Sequence, residues 1–238
     1  MLSQTQFLIF EIGSVCNLGK VHTMCPNMIR EPSGSKVLTD ELILQCIDEA
    51  YTKHNFTGLV GWHYYNEPMV EHKRVFSLME RYPKGRYILW TNGLIQPDDP
   101  RINLFEQVYC TNYYPDKVNK DYYNGCKKVS IFPEHFDNRR QDTANIKRNH
   151  NHCLRPYVEF IIDNWGTAHL CCQDWRGEID IGNIWDVGFE AVLKKRKEIM
   201  DKMRLRELPD RCIRCVAKIR HIPKFDEAIQ ARTMEALV

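Results

Sequence analysis

The chain has 238 residues, of which 43% are hydrophobic and 27% are charged, close to the composition of an average globular protein. This length predicts one large domain, or a large domain with a small appendage, whose core needs no disulfides. With 33 basic and 31 acidic residues, the net charge of +2 gives no electrostatic reason to expect nucleic acid or an anionic membrane as a partner. The apolar run Phe7 to Phe10 is far shorter than the roughly 18 residues of a membrane span. We therefore expect a cytoplasmic protein.

Apolar segments and helical patterns alternate along residues 1–132. Short runs of large apolar residues predict strands at 7–12, 59–64, 87–90, 107–110 and 128–132. Between them, the spacing of apolar residues predicts a helix after the N-cap Thr39, a second over 70–82 and a short third over 101–106. This alternation indicates parallel βαβ units and an α/β fold, either an open sheet or a partial barrel, with ligands at the carboxyl ends of the strands.

Residues 133–152 differ from both neighbouring segments, because they are polar, partly basic and nearly devoid of large apolar side chains. We interpret them as a linker or mobile loop. Beyond them, apolar runs at 157–162 and 167–171 flank a turn sequence and predict a hairpin, and residues 189–204 have a strongly charged helical pattern. The chain is therefore expected to divide into 1–132, 133–152 and 153–238.

The ten cysteines are the strongest compositional signal, since a chain with an ample core in a reducing compartment uses thiols for metal or redox chemistry. Three stand alone in the sequence and are predicted to be small buried apolar residues: Cys46, Cys110 and Cys126. Four others form a set in the last third of the chain: Cys153, Cys171, Cys212 and Cys215. By count alone, four thiolates suit zinc and an iron-sulfur cluster equally well.

The sequence around those four thiols narrows the choice. Cys171-Cys172-Gln173-Asp174 is followed by Gly177, by Ile181-Gly182-Asn183-Ile184 and by the Cys212-x-x-Cys215 motif. This order closely resembles the SPASM/twitch extension of radical S-adenosylmethionine (SAM) enzymes. The resemblance implies a small C-terminal metal-binding subdomain of the shorter, twitch-like type, with an auxiliary 4Fe-4S cluster on the four thiols.

The N-terminal segment resembles the same superfamily at several separate points. Its cluster loop, which follows the first strand, resembles Cys16-Asn17-Leu18 and Met24-Cys25-Pro26-Asn27. Its SAM-contacting turn after the second strand resembles Asn66-Glu67-Pro68, and the end of its third strand resembles Thr91-Asn92-Gly93. The resemblance implies a partial (β/α) barrel over 1–132. It also implies a SAM site that includes Met24, Asn66, Glu67, Pro68, Thr91 and Asn92. A carboxylate at Glu67 suits the SAM ammonium group, although Glu67 could instead only cap the helix that begins near Pro68.

The predicted cluster loop departs from the family pattern in one respect. The family places three cysteines as Cys-x3-Cys-x2-Cys, whereas here His22 stands three residues before Cys25 and the middle cysteine is missing. Three alternatives follow. His22 ligates the cluster together with Cys16 and Cys25, as histidine does in Rieske centres; or Cys46 or Cys110 substitutes; or the cluster is degenerate and activity is lost.

The resemblance implies an enzyme with two 4Fe-4S clusters and SAM, supplied with electrons by a donor such as flavodoxin or ferredoxin. Such a radical SAM oxidoreductase or epimerase generates a 5′-deoxyadenosyl radical that abstracts hydrogen from a small molecule such as a carbohydrate or aminocyclitol. Oxidation would use the auxiliary cluster as electron acceptor, and epimerisation would use a thiol such as Cys172 as hydrogen donor. The alternatives are an enzyme that modifies ribosomal peptides and a non-catalytic metal-binding module.

Overall fold

A single seven-stranded sheet organises the protein in the computed structural model, which describes residues 2–18, 25–28, 30–133, 153–213 and 215. The strands are β1 (Phe7–Phe10), β2 (Leu59–Gly61), β3 (Tyr87–Thr91), β4 (Gln107–Asn112), β5 (Lys128–Pro133), β6 (Glu159–Ile162) and β7 (Ala168–His169). Their order in the sheet is β5-β4-β3-β2-β1-β6-β7, and every neighbouring pair is parallel except the last. The predicted α/β fold with parallel strands is thus confirmed.

Helices connect most of these strands. The α-helices are α1 (Asp40–Lys53), α2 (His72–Arg81), α3 (Arg155–Val158), α4 (Ile184–Val187), α5 (Phe189–Arg204) and α6 (Asp210–Ile213). Short 3-10 helices cover Pro26–Met28, Pro68–Glu71, Pro100–Leu104, Pro115–Lys117 and Lys120–Tyr123. The predicted N-cap of α1 is present, since the Thr39 hydroxyl accepts a hydrogen bond from the Leu42 amide at 3.3 Å.

Two of the predicted helices differ in type from the structure. The pattern over 70–82 predicts one helix, but a 3-10 turn over Pro68–Glu71 precedes α2. The segment predicted as a short helix over 101–106 is a 3-10 helix that ends at Leu104. In both cases a proline stands at the first turn, where it fixes the backbone without removing a needed amide.

The two faces of the sheet carry different cores, because successive side chains of a strand point to opposite sides. Leu8 and Phe10 of β1 join the large core on one face, together with buried residues of α1, α2 and α5. Ile9 of β1 and Ile161 of β6 lie on the other face, in a smaller cluster with Tyr64, Tyr65 and Trp175. We call this smaller cluster the inner cluster.

The segment after residue 152 is built into the same sheet. β6 runs parallel to β1, from the pair Phe7 and Glu159 to the pair Phe10 and Ile162. The predicted hairpin is present, since β7 pairs antiparallel with β6 after a turn that contains Gly166 with a positive φ of 86°. The division into 1–132 and 153–238 therefore stays a prediction, and nearly all of the predicted linker, residues 134–152, lies outside the described residues. In the described ranges, none of the helices combines the length and the apolar character that crossing a bilayer requires.

Candidate functional site

Three of the predicted motifs meet at the carboxyl ends of β1, β2 and β3. The loop after β1 carries Cys16 and Asn17, the loop after β2 carries Glu67, and Asn92 follows β3. The Asn17 carbonyl oxygen accepts a hydrogen bond from the Asn92 side-chain amide at 2.7 Å. The Glu67 amide donates to the Val15 carbonyl at 2.9 Å. Residues that are far apart in the sequence thus form one edge site, where parallel α/β sheets bind their ligands.

Glu67 is a buried acidic group of this edge site, with 2% of its surface exposed. Its carboxylate accepts three hydrogen bonds: from the Met69 amide at 3.0 Å, the Thr91 hydroxyl at 2.7 Å and the Asn92 amide at 2.7 Å. Burial raises the pKa of Glu67 to about 7, although these three donors favour the ionised form. The carboxyl group therefore caps the 3-10 helix and also ties β2 to β3, and it titrates near neutral pH.

The other predicted SAM-site residues shape the same turn. The Asn66 side chain accepts from the Tyr64 amide at 3.0 Å and donates to the Trp62 carbonyl at 3.1 Å, which closes the turn before Glu67. Pro68 is buried at the start of the 3-10 helix. The Asn92 side-chain oxygen accepts from the Leu94 amide at 3.1 Å. Met24 lies outside the described residues.

The two described thiols of the predicted cluster loop are close enough to affect each other. Burial raises the pKa of Cys16 to about 11, and the negative charges of Glu67 and Cys25 act in the same direction. The Leu18 backbone amide donates a hydrogen bond to the Cys16 sulfur. Cys25 is half-buried against the inner cluster. His22 lies outside the described residues, so its role as the third ligand stays a prediction.

The isolated cysteines are buried, as predicted. Cys46 on α1 is 1% exposed, Cys110 on β4 is 0% exposed and Cys126 is 9% exposed. Burial raises the pKa of Cys46 to about 12 and that of Cys110 to about 11. A thiol packed in this way behaves as a small apolar side chain. Of the alternatives for the missing ligand, the substitution by Cys46 or Cys110 is therefore the least favoured.

A buried ion pair beside the edge site was not predicted from the sequence. Glu11 directly follows β1 and is 0% exposed, and its carboxylate accepts a hydrogen bond from Arg30 Nη2 at 2.6 Å. It also accepts from the amides of Tyr65 at 3.0 Å and Asn164 at 3.1 Å. Burial raises the pKa of Glu11, and Arg30 opposes that shift. An acidic residue at the end of an apolar strand was the only signal in the sequence, and it did not identify the partner.

Arg30 is surrounded by aromatic rings and acidic groups. Its guanidinium carbon lies 5.3 Å from the ring centroids of Tyr64 and Tyr65 and 4.9 Å from that of Trp165. Burial lowers the pKa of Arg30, but Glu11 and then Asp163, which follows β6, raise it, and the net effect is a raised pKa. The loop that carries Cys25 is thus fixed to the ends of β1 and β6.

The four predicted thiols of the C-terminal site lie near one another, although they come from three separate segments. Burial raises the pKa of Cys153, and Cys215 adds to that shift. Burial raises the pKa of Cys212 to about 12, with further contributions from Cys153 and Cys215. The pKa of Cys171 is raised well above its usual value by burial, then by Cys172 and Cys153. The sulfurs of Cys153, Cys171 and Cys212 would therefore need a nearby cation to become thiolates.

Backbone amides are directed at these sulfurs. The Arg155 amide donates to the Cys153 sulfur and the Gln173 amide donates to the Cys171 sulfur, in each case from two residues further along the chain. The Leu18 amide has the same relation to Cys16. Hydrogen bonds of this kind stabilise thiolates and are among the contacts that tune iron-sulfur clusters.

A zinc ion and a 4Fe-4S cluster require different distances between their thiolate ligands. In the described part of the chain, no three His, Cys, Asp or Glu side chains are arranged to share one metal ion. A tetrahedral zinc ion with Zn–S distances of about 2.3 Å would require sulfurs only about 3.8 Å apart. In a 4Fe-4S cluster each thiolate binds a different iron, so the sulfurs lie further apart. By count, the four thiols suit either group.

Polar contacts connect the segments that carry these thiols. Arg211, beside Cys212 on α6, donates to the Gln173 carbonyl from Nη2 at 2.8 Å and from Nε at 3.3 Å. The Cys215 amide donates to the Cys212 carbonyl at 3.2 Å. Because Arg211 is 6% exposed, these hydrogen bonds are largely protected from water. The Cys-x-x-Cys segment is thus held against the loop after β7.

Cys172 lies between the thiol site and the inner cluster. Its sulfur accepts a hydrogen bond from Arg155 Nη1, and its amide donates to Glu159 at 3.2 Å. Its carbonyl accepts from the Tyr65 hydroxyl at 2.5 Å. The predicted hydrogen donor is therefore half-buried, with its sulfur in contact with a cation.

Half-buried aromatic side chains extend from the inner cluster toward β4. The Trp90 ring centroid lies 4.3 Å from that of His63, 5.0 Å from that of Phe7 and 5.2 Å from that of Tyr109. The register of β1 to β4 shows that these strand residues lie on the same face of the sheet as Ile9: Phe7, Trp90 and Tyr109. Aromatic side chains at such a face are typical of the walls of small-molecule sites.

Comparison with known proteins shows the fold. A structure of BtrN in complex with AdoMet and 2-DOIA superposes with a TM-score of 0.68 over 93% of this chain and 96% of that chain, at 18% identity. A structure of selenomethionine-labelled BtrN in an open conformation gives a TM-score of 0.63 over 90% of this chain and 92% of that chain, at 19% identity. No protein-family model and no curated protein matches the sequence. At this level of identity, the likeness establishes a shared fold.

Proposed function

We propose that this protein is a radical SAM enzyme that oxidises a small hydroxylated molecule. The observation that carries the proposal is the edge site itself, in which the cluster loop, Glu67 and Asn92 are joined by hydrogen bonds at the ends of the first three strands. BtrN, which has the same fold over nearly its whole length, was crystallised with AdoMet and 2-DOIA. The four-thiol site supports a second cluster, as the resemblance of the sequence implies.

Different residues of the edge site would bind the first cluster and SAM. When bound, a reduced 4Fe-4S cluster supplies the electron that cleaves SAM to methionine and a 5′-deoxyadenosyl radical. Cys16 and Cys25, with His22 as the proposed third ligand, would hold that cluster. Glu67, once ionised, would accept a hydrogen bond from the SAM ammonium group, and its bonds to Thr91 and Asn92 fix the direction of its carboxylate.

The environment of Cys172 favours oxidation over epimerisation. An epimerase that uses this residue needs a neutral thiol that gives a hydrogen atom to the substrate. A sulfur that accepts a hydrogen bond from a guanidinium is better suited to carry negative charge than to release a hydrogen atom. We therefore assign Cys172 a structural role, and we infer oxidation of the substrate to a carbonyl product. The 5′-deoxyadenosyl radical would take a hydrogen atom from the substrate, a cluster held by the four thiols would accept the second electron, and the hydroxyl proton would go to solvent.

The test measures iron and SAM cleavage in the same preparations. Protein purified without oxygen should bind about eight irons, four for each cluster. With a chemical reductant, it should convert SAM to 5′-deoxyadenosine, and Cys16→Ala/Cys25→Ala should abolish that reaction while about four irons remain. Cys126→Ala is the matched control, because it removes a buried thiol that is distant in the sequence from the cysteines of both sites.

Two results would contradict the proposal. One is stoichiometric zinc in place of iron at the four thiols, which would make that site structural. The other is an iron-loaded protein that binds SAM without cleaving it under reducing conditions, which would indicate a non-catalytic module. The role of His22 is tested in the same assay, where His22→Ala should weaken the first cluster and His22→Cys should preserve it.

A further inference from the structure

Arg155 contacts the four-thiol site in two ways. It begins α3, two residues after Cys153, and its backbone amide donates a hydrogen bond to the Cys153 sulfur. Its side chain donates from Nη1 to the Cys172 sulfur and to Glu159 Oε1, the latter at 3.4 Å. A single residue therefore directs a backbone amide at the Cys153 sulfur of the site and a full positive charge at the adjacent Cys172 sulfur.

The charge of Arg155 is coupled to several anionic groups at once. Its pKa is raised above the usual range, chiefly by the Cys172 sulfur and also by Glu159, Cys171 and Cys153. Arginine keeps its charge at every pH at which the protein is folded. Glu159 is the opposing charge, since its Oε2 accepts the Cys172 amide at 3.2 Å while its Oε1 faces Arg155.

We propose that Arg155 is a positioning residue that raises the reduction potential of the group bound by the four thiols of Cys153, Cys171, Cys212 and Cys215. This inference rests on the proposed function, because only a redox-active group has such a potential. Reduction adds one electron to a group that four thiolates already make anionic. A fixed cation beside the sulfurs stabilises that added charge, and hydrogen bonds to the sulfurs act in the same direction.

The proposed role connects the site to the reaction. During oxidation the substrate must lose one electron after hydrogen abstraction, and the acceptor must be readily reduced. Arg155 would make the four-thiol group a better acceptor, and Glu159 would make it a worse one. The two residues should therefore shift its potential in opposite directions, which a role in packing alone would not produce.

The experiment measures the potential of the four-thiol group in isolation. All variants are made in the full chain with Cys16→Ala/Cys25→Ala, so that the first cluster is absent, and are titrated with dithionite in the presence of redox mediators. Arg155→Gln should lower the potential, with reduction disfavoured about tenfold, which is about 59 mV for one electron. Arg86→Gln is the matched control. The Arg86 side chain is 46% exposed and pairs with Glu106, whereas that of Arg155 is 45% exposed and pairs with Glu159.

Glu159→Gln provides the second, opposite test. It removes the negative charge and retains a side chain that can accept the Cys172 amide, so the potential should rise while Arg155 remains in place. If Arg155→Gln loses its iron, the proposal is tested by Glu159→Gln alone. An unchanged or lowered potential of the four-thiol group in Glu159→Gln then overturns the proposal. Equal potentials in Arg155→Gln and Arg86→Gln overturn it as well.

Failure of the proposed function is recognised before any titration. If the protein with Cys16→Ala/Cys25→Ala holds zinc, or no metal, both the proposed function and the role of Arg155 are wrong. If it holds about four irons and the potentials do not follow the charges, the proposed function stands and only the role of Arg155 is wrong.

Discussion

The two cysteine sites differ in what holds them in shape. At the edge site, the buried carboxylates of Glu11 and Glu67 accept hydrogen bonds from the protein's own amides, hydroxyls and guanidinium groups. At the four-thiol site, three segments bring the sulfurs together, and burial and neighbouring thiols raise the pKa values of Cys153, Cys171 and Cys212. The two carboxylates of the edge site are thus held by the protein's own hydrogen-bond donors, whereas the four-thiol site concentrates groups that repel each other once ionised. The second site should depend far more on its metal.

The largest effect is expected when that metal is removed. Cys212→Ala/Cys215→Ala should lose about four of the roughly eight irons and should make the segment after β7 sensitive to proteases, because ligation energy is also folding energy. The first cluster should keep its spectrum. Cys126→Ala should change neither the iron content nor the protease sensitivity. If the double variant keeps all its iron, these two thiols are not ligands.

The edge site should respond most strongly to the loss of Arg30. Arg30→Met leaves Glu11 buried without its cation, and breaking a buried pair in this way costs about 3 to 5 kcal/mol of the free energy of unfolding. Arg204→Met is the matched control. Its pair with Asp201 is exposed by 41% and 43%, and its loss should cost no more than about 1 kcal/mol. Urea denaturation of the two variants measures both values.

A double variant sharpens the same test. Arg30→Met with Glu11→Gln removes both charges of the pair, so it should recover part of the stability that Arg30→Met loses. Glutamine can still accept one of the two amide hydrogen bonds, but not both, because Tyr65 and Asn164 donate to different oxygens of the Glu11 carboxylate. If the double variant is no more stable than Arg30→Met, the unpaired charge is not the cause of the loss.

Local patterns predicted the local features of this fold. Runs of apolar residues identified all five strands before residue 134, and Thr39 identified the start of α1. The turn between β6 and β7 was predicted in the same way. Each of these features depends on residues that are neighbours in the sequence, where spacing and turn chemistry carry the information.

The contacts between distant segments could not be predicted in this way. The parallel pairing of β6 with β1 joins residues about 150 positions apart, and no periodicity records strand order. Glu11 and Arg30 were missed for the same reason, because a buried acidic residue is recognised only when its partner is known. The cysteines were an exception, since four thiols in a recognisable order indicated a common site.

The buried carboxyl group of Glu67 predicts a pH dependence that the four-thiol site does not share. Its pKa is raised from 4.5 to about 7, so its contribution to stability is fully present below pH 4.5 and is lost as the pH rises through 7. The free energy of unfolding of the wild type, relative to Glu67→Gln, should therefore fall by up to about 3 kcal/mol between pH 4.5 and pH 8. Denaturation at several pH values measures this difference. A difference that stays constant would show that Glu67 does not titrate in this range.

A smaller effect is expected on the affinity for SAM. Glu67→Gln removes the charge that would hold the ammonium group, a contact worth about 1.5 to 3 kcal/mol, so SAM should bind roughly ten- to a hundredfold more weakly with little change in iron content. Glu71→Gln changes the same type of group at the other end of the same 3-10 helix and should leave the affinity unchanged. Equal affinities of the two variants, at equal iron content, would limit Glu67 to its capping role.

The smallest effect is expected at α1, which packs in the large core and carries neither site. The Thr39 hydroxyl accepts the Leu42 amide at 3.3 Å, and Thr39→Ala should cost about 1 kcal/mol of stability because that amide loses its partner. Thr52→Ala is the control, since its hydroxyl donates to the Asp48 carbonyl at 2.7 Å within the helix and alanine has the higher helix propensity. Its stability should change by only a few tenths of a kcal/mol. Iron content and SAM affinity should be unchanged in both variants. A loss of iron in Thr39→Ala would mean that the stability of α1 affects the cofactor sites, and that the two sites cannot be treated as independent.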